Sequence, residues 1–166
     1  MLFTLNLEDA MNHLHKRGAF LTVKSNEKIN SMTISWANIG FEWKKPIFTV
    51  LVRKSRYTHE LIENEGEFSI SIPFNDNFKN ALALCGSKSG RDMDKIKESG
   101  LSLKDGEKIK VPSIEGCEMI YECKIVYKQD MDLSLLSNEI RDSIYSDNDY
   151  HTIYYGEIVN TISTVK

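Results

Sequence analysis

The residues best suited to chemistry stand together in the hexapeptide Arg53-Lys54-Ser55-Arg56-Tyr57-Thr58. It follows the apolar run Ile47 to Val52 and leads into a helix that Thr58 can cap and Gly66 can stop. Guanidiniums, hydroxyls and first-turn amides converge there, which is what an anionic phosphate requires. The alternative is a solvated basic turn with Thr58 as a plain cap, and spacing alone leaves both open. The stretch Asn30-Ser31-Met32-Thr33-Ile34-Ser35-Trp36 places the hydroxyls of Ser31, Thr33 and Ser35 on one face of an expected strand. With nearby backbone donors they would line a polar heteroaromatic ligand walled by Trp36. A strand with its polar face in water is the alternative. Gly86-Ser87-Lys88-Ser89-Gly90-Arg91-Asp92 has the composition of a phosphate loop without the Gly-x-Gly-x-x-Gly or Walker spacing. By itself it reads as a loop between helices. His151, beside Asp149 and Tyr150, by itself reads as a structural hydrogen-bonding group.

No metal site is expected, because Cys85, Cys117 and Cys123 form no zinc-like spacing with His13, His15, His59 or His151. Cys117 and Cys123 are six residues apart on one expected strand, about 20 Å at strand rise and too far for a disulfide. No nucleophile-elbow motif occurs, so acyl-transfer chemistry has no support.

These segments need a scaffold, and 166 residues with 41% hydrophobic and 27% charged side chains predict one globular domain over residues 1–166. A net charge of −3 argues against a nucleic-acid binder. No apolar run nears the ~18 residues of a membrane span, and Met1 to Leu7 lacks the features of a signal peptide. The expected location is the cytoplasm. Asn6 as a cap and Leu7, Ala10, Met11 and Leu14 predict a helix ending at Gly18. A hairpin follows, Ala19 to Val23 and Ile29 to Ala37, then strands at Ile47–Val52, Phe68–Ile72, Cys117–Lys128 and His151–Ser163. Short helices are expected at Thr58–Glu65, from an Asn77 cap to Gly86, over Asp92–Ser99 and near Ile140–Ile144. On the strand from Cys117, Met119, Tyr121, Cys123, Ile125 and Tyr127 should share one face, with Glu118, Glu122, Lys124 and Lys128 exposed opposite. Lys104 to Lys108 reads as a solvated turn. Short strands with helices inserted fit a closed or split antiparallel barrel.

Taken in order, the Asn30–Trp36 stretch, Lys45-Pro46, the hexapeptide, Glu67–Ser71, Ser89-Gly90-Arg91-Asp92 with Asp94-Lys95, and His151 before Tyr155–Val159 resemble the flavin reductase-like, FMN-binding split-barrel family. Within it they resemble the flavoredoxin group. The resemblance implies a mainly β, six-stranded antiparallel Greek-key split barrel with peripheral short helices, paired as a homodimer with FMN near the interface. It implies that Arg53, Ser55, Arg56 and Thr58, with Tyr57 among them, take the FMN phosphate. The isoalloxazine would lie against Met32, Thr33, Ile34, Ser35 and Trp36, with Asn30 heading that strand. Lys88 and Ser89 would approach the same cofactor, with Asp92 and Lys95 nearby. His151 would lie near a nicotinamide, although Tyr150 separates it from Asp149 where the family has an adjacent Asp-His pair. The implied activity is that of an FMN-dependent oxidoreductase, either reducing flavin with NAD(P)H or passing electrons to a redox protein partner. The alternative is a non-catalytic β-barrel binding module that has lost the cofactor. Met119, Tyr121 and Tyr127 are the expected dimer patch.

Overall fold

A computed structural model describes residues 2–165. The alternating segments pair into one antiparallel sheet of seven strands: β1 (Ala19–Ser25), β2 (Lys28–Ile34), β3 (Ala37–Glu42), β4 (Lys45–Arg53), β5 (Glu67–Ile72), β8 (Met119–Asp130) and β9 (His151–Ser163). Their order is β2-β1-β5-β8-β9-β4-β3, with a separate short pair formed by β6 (Leu103–Lys104) and β7 (Ser113–Ile114). The expected mainly β split barrel is present, with one strand more than expected. The added strand is β3, which pairs with β4 across Trp43 and Lys44. Both have positive φ (52° and 61°), as a two-residue primed turn demands. Neither is the glycine or asparagine that normally marks such a turn, so the sequence carried no signal for it.

Among the described residues five α-helices surround the sheet: α1 (Leu7–Arg17), α2 (Tyr57–Glu65), α3 (Lys79–Ser87), α4 (Lys95–Glu98) and α5 (Asn138–Ile144). None is long and apolar enough to cross a membrane. Ala10 and Leu14, one turn apart on α1, and Leu61 and Ile62 of α2 join the main core with Leu21, Val50, Ile70, Tyr121 and Tyr154. A second cluster, Phe20, Leu82, Cys85, Ile114 and Cys117, seats α3 on the other side of β1. All three cysteines are free and buried, in agreement with the sequence, and burial pushes each thiol pKa up.

The helix starts differ from expectation. Asn6 is left-handed (φ 51°) and caps nothing; its Nδ2 instead donates to Ser163 Oγ at 3.0 Å. Arg56 holds the cap position of α2, so Thr58 lies inside the helix. Asn75, not Asn77, caps a single 3-10 turn (Asp76–Phe78) before α3. Asp94 caps α4, and Ser137 caps α5.

The strand β8 is not half exposed throughout: Met119 to Cys123 are buried on both faces. Register shifts fall between Glu122 and Cys123 and between Ile125 and Tyr127. Ile125 opposes Gly156 and Tyr127 opposes Tyr155, so the second shift turns Tyr127 to the face opposite Ile125. Glu122 is buried and accepts from the backbone N–H of Glu107 (2.7 Å) and Lys108 (2.8 Å). The Lys104–Lys108 turn keeps its side chains in solvent but is anchored through its backbone.

Candidate functional site

β2 is an edge strand, and its hairpin with β1 closes at Ser25 and Lys28. Hydrogen-bonded and non-bonded pairs alternate from that closing pair, so Ile29, Ser31 and Thr33 aim their backbone N–H and C=O groups out of the sheet. Two adjoining cavities lie along this region. The first, about 300 Å³, is lined by Met32, Thr33, Ile34, Ser35, Trp36, Leu51, Arg53, Arg56 and His151. The second, about 150 Å³, is lined by Asn30, Met32, Ser55, Arg56, Tyr57, Thr58, Lys88, Ser89, Lys95 and the glycines at 86 and 90, with Cys85 and Arg91. Asp92 lies apart, in a cleft of about 770 Å³ that shares Asn30, Tyr57 and Lys95 with the second cavity. Residues spread from position 30 to 151 thus meet around β2.

The basic groups divide into two sets. Arg53 donates to the carbonyls of Asp149 (2.8 Å) and Ile144 (3.1 Å) and to Asp147 Oδ1 (3.2 Å), clamping the turn before β9 onto the end of β4. Ser55 gives its N–H (3.1 Å) and hydroxyl (2.5 Å) to the Asp149 carboxylate, so an internal anion already occupies these donors. Among the described residues, no hydrogen bond or ion pair engages the side chains of Arg56 and Lys88. Lys95 is only 4% exposed, yet its ammonium makes one hydrogen bond, to the Cys85 carbonyl at 3.1 Å. Burial pushes its pKa down. Such a group has two donor directions to offer, and an anion in the second cavity would meet them together with Arg56 and Lys88. The residues present therefore suit a phosphate there.

Several hydroxyls are already committed. Thr58 Oγ1 accepts from Asn30 Nδ2 at 2.9 Å, and Thr33 Oγ1 donates to the Leu82 carbonyl at 2.6 Å. His15 Nδ1 donates to the Ser35 carbonyl at 3.1 Å. What β2 offers a planar ligand at Thr33 is backbone rather than hydroxyl. Gly90 passes so close to β2 that a Cβ there would lie 2.1 Å from Asn30 Oδ1 and 2.8 Å from Tyr57 Cδ1.

His151 does not pair with Asp149. Its Nδ1 meets the Tyr145 hydroxyl at 2.7 Å, and its ring packs 5.4 Å from that of Trp36. Burial, then the Arg53 charge, pushes its pKa down to about 4. The folded imidazole is therefore neutral near pH 7, with its Nδ1 tied to the Tyr145 hydroxyl and its Nε2 outside that contact. The unfolded imidazole takes a proton near pH 6.5 and the folded one only near 4, so folding stability falls as pH drops through that window and is unaffected above it. The urea midpoint of the wild type should decline between pH 6.5 and 4, and His151→Asn should flatten the decline. Parallel profiles would place the cause elsewhere. Tyr145, Leu51 and the Asp149 contact with Ser55 are the parts of this site that sequence reasoning missed. Tyr145 lies 6 positions from His151 and Asp149 lies 94 from Ser55, and no local pattern marks these contacts.

A model of the flavin reductase-like domain family matches residues 11–164. An uncharacterized protein of Archaeoglobus fulgidus is 33% identical over 116 residues, covering 70% of this chain and 64% of that protein. Flavoredoxin of Desulfovibrio vulgaris (Miyazaki F) superposes with a TM-score of 0.69 at 24% identity, over 88% of this chain and 68% of that one. The FMN-binding protein of Thermus thermophilus does so with a TM-score of 0.68 at 23% identity, over 88% and 69%. This chain spans just under two thirds of the Archaeoglobus protein's length, and the two solved structures are similar to it in fold. The match over nearly the whole sequence, on a scaffold that gathers the same segments around one strand edge, places the chain in the flavin reductase-like domain family.

Proposed function

We propose that this chain is an FMN-binding flavoprotein oxidoreductase of the cytoplasm. The observation that supports it most is the buried, under-bonded ammonium of Lys95 facing a cavity with Arg56 and Lys88, in a chain whose net charge is −3. In this reading Arg56, Lys88, Ser89 and Lys95 hold the FMN phosphate, within reach of the free edge of β2. Ser55, just before α2, and Thr58, in its first turn, frame the phosphate, and Arg53 acts by holding the turn before β9. The isoalloxazine supplies the electron-transfer chemistry, and the protein sets its orientation and exposure. Backbone groups of β2 orient the ring system, Trp36 walls it, Met32 lies where the two cavities join, and Asn30 and Tyr57 line the second. In this reading the Tyr145 hydroxyl donates to His151 Nδ1, which leaves the Nε2–H of the neutral ring to donate to a nicotinamide amide.

A spectrum of the purified protein with added FMN, then anaerobic titration with NADH and NADPH, tests the reading. Flavin absorption bound to the protein is expected; a colourless protein that ignores FMN would favour a binding module without cofactor. With FMN saturating, His151→Asn should slow bleaching by about tenfold, equivalent to ~1.4 kcal/mol of lost transition-state stabilisation. An unchanged rate removes His151 from the reaction. No bleaching in either protein identifies an electron carrier fed by a redox protein partner.

The chain is also proposed to pair as a homodimer. The expected patch needs correction, because Met119 and Tyr121 are fully buried in the core. Tyr127 instead joins Trp43 and Tyr155, with ring centroids 5.4 to 5.9 Å apart, in an exposed aromatic cluster on the outer sheet face. Light scattering should give about twice 19.1 kDa. A clean monomer that still holds FMN would remove the partner from the site.

A further inference from the structure

A third cavity lies behind the strand edge, away from Lys95 and His151. One stripe of α3, Lys79, Leu82, Ala83 and Gly86 at helical spacing, forms one wall, and the last turn of α1 forms the other. Its volume is about 710 Å³, ample for a small organic molecule. Leu82, Ala83, Gly86 and the methyl of Thr33 give the cavity an apolar face, beside the polar Asn75 and Ser87. The rim carries Lys16, Arg17 and Lys79 against a single carboxylate, Asp76, which Arg17 holds at 3.0 Å. Among the described residues Lys16 and Lys79 form no ion pair. The cleft is therefore locally cationic by about two charges on a chain of net charge −3.

From this combination we infer that the cleft between α1 and α3 binds a small organic carboxylate with an apolar or aromatic body. The apolar stripe of α3 takes the body, and the two unpaired ammonium groups take the carboxylate. A hydrophobic molecule without charge would leave both lysines unengaged, and an inorganic anion would leave the apolar wall in water. Thr33 also lines the first cavity and Gly86 the second, so an occupant lies one strand's thickness from the proposed flavin site. The inference does not depend on flavin binding, since none of its charged residues belongs to that site.

Calorimetric titration of the full chain with benzoate and with benzyl alcohol, with and without FMN, tests it. Saturable benzoate binding is expected, at least tenfold tighter than benzyl alcohol and weakened by added salt. The double change Lys16→Gln with Lys79→Gln should weaken benzoate by at least tenfold, and Ala83→Trp should block it by filling the cleft, with FMN affinity unchanged in both. Equal binding of the two probes, no saturable binding, or indifference to both variants overturns the inference. Competition between benzoate and FMN would place benzoate in the flavin cavities and also overturn it. So would benzoate binding that is lost on dimerisation, which would make the cleft a subunit contact. Benzoate binding by a protein that ignores FMN would leave this site standing while removing the flavin reading.

Discussion

Lys95→Met should weaken FMN by about 10- to 100-fold and leave riboflavin nearly unaffected, because the two ligands differ only in the phosphate. A hydrogen bond to a charged group contributes ~1.5–3 kcal/mol, and each ~1.4 kcal/mol is a factor of ten in affinity. Lys95 has more at stake than Arg56 or Lys88, since the residue is 4% exposed and cannot turn its ammonium to water when the ligand leaves. The free protein should respond in the opposite sense. Burying a charge with one hydrogen bond is costly, and burial already pushes the Lys95 pKa down. Methionine has similar length and no charge, so the urea midpoint without ligand should hold or rise. Arg53→Ala should differ in kind: by freeing the turn held through Ile144, Asp147 and Asp149, it should weaken FMN and lower stability together. Flavin fluorescence titrations and unfolding curves of both variants separate these outcomes. Equal losses of FMN and riboflavin in Lys95→Met would mean that the phosphate is held elsewhere.

Gly156→Ala should be the most damaging single methyl addition in the sheet. Gly156 lies on β9 opposite Phe48 and Ile125, with its missing side chain directed into the core. A Cβ there would stand 2.5 Å from Phe68 Cζ and 2.8 Å from Cys123 Cβ. The ring of Phe68 is fully buried, and the Cβ of Cys123 is fixed to a strand backbone, so neither can yield cheaply. Overpacking of this kind costs ~1–3 kcal/mol. At ~2–4 °C per kcal/mol for a chain of this size, thermal melting should fall by about 2–12 °C. Gly40→Ala is the control: a Cβ there meets nothing within 4 Å, and melting should be unchanged or slightly higher. A Gly156→Ala protein that melts like the wild type would mean that Phe68 has a second rotamer available.

Much of this protein was readable because the signals are local. Runs rich in β-branched, aromatic and other apolar residues over Ala19–Val23, Phe68–Ile72 and His151–Ser163 mark strands within a few residues of their ends, since such side chains fit a pleated, buried surface. The site segments were legible for a similar reason: basic and hydroxyl groups concentrated at strand ends and helix starts are visible without a fold. The strand β3 was not, because its turn rests on two positive-φ residues, Trp43 and Lys44, that local chemistry does not favour. The face of Tyr127 was not, because one bulged residue reverses every side chain beyond it.

The sequence by itself determined which segments are extended, which basic and hydroxyl groups lie near β2, and that Cys117 and Cys123 could not pair along one strand. The tertiary structure alone decided which of those groups are free. Asp149, 94 positions from Ser55, takes its amide and hydroxyl; Leu82, 49 positions from Thr33, takes its hydroxyl; and Tyr145 rather than an aspartate meets His151. Lys88 and Lys95 are both lysines in the same polar stretch, yet one is exposed and the other sealed under α3. Hydrogen-bond partnership and burial depend on distances that only the folded chain sets, so no reading of residue type and spacing can separate a donor already engaged from one waiting for a ligand.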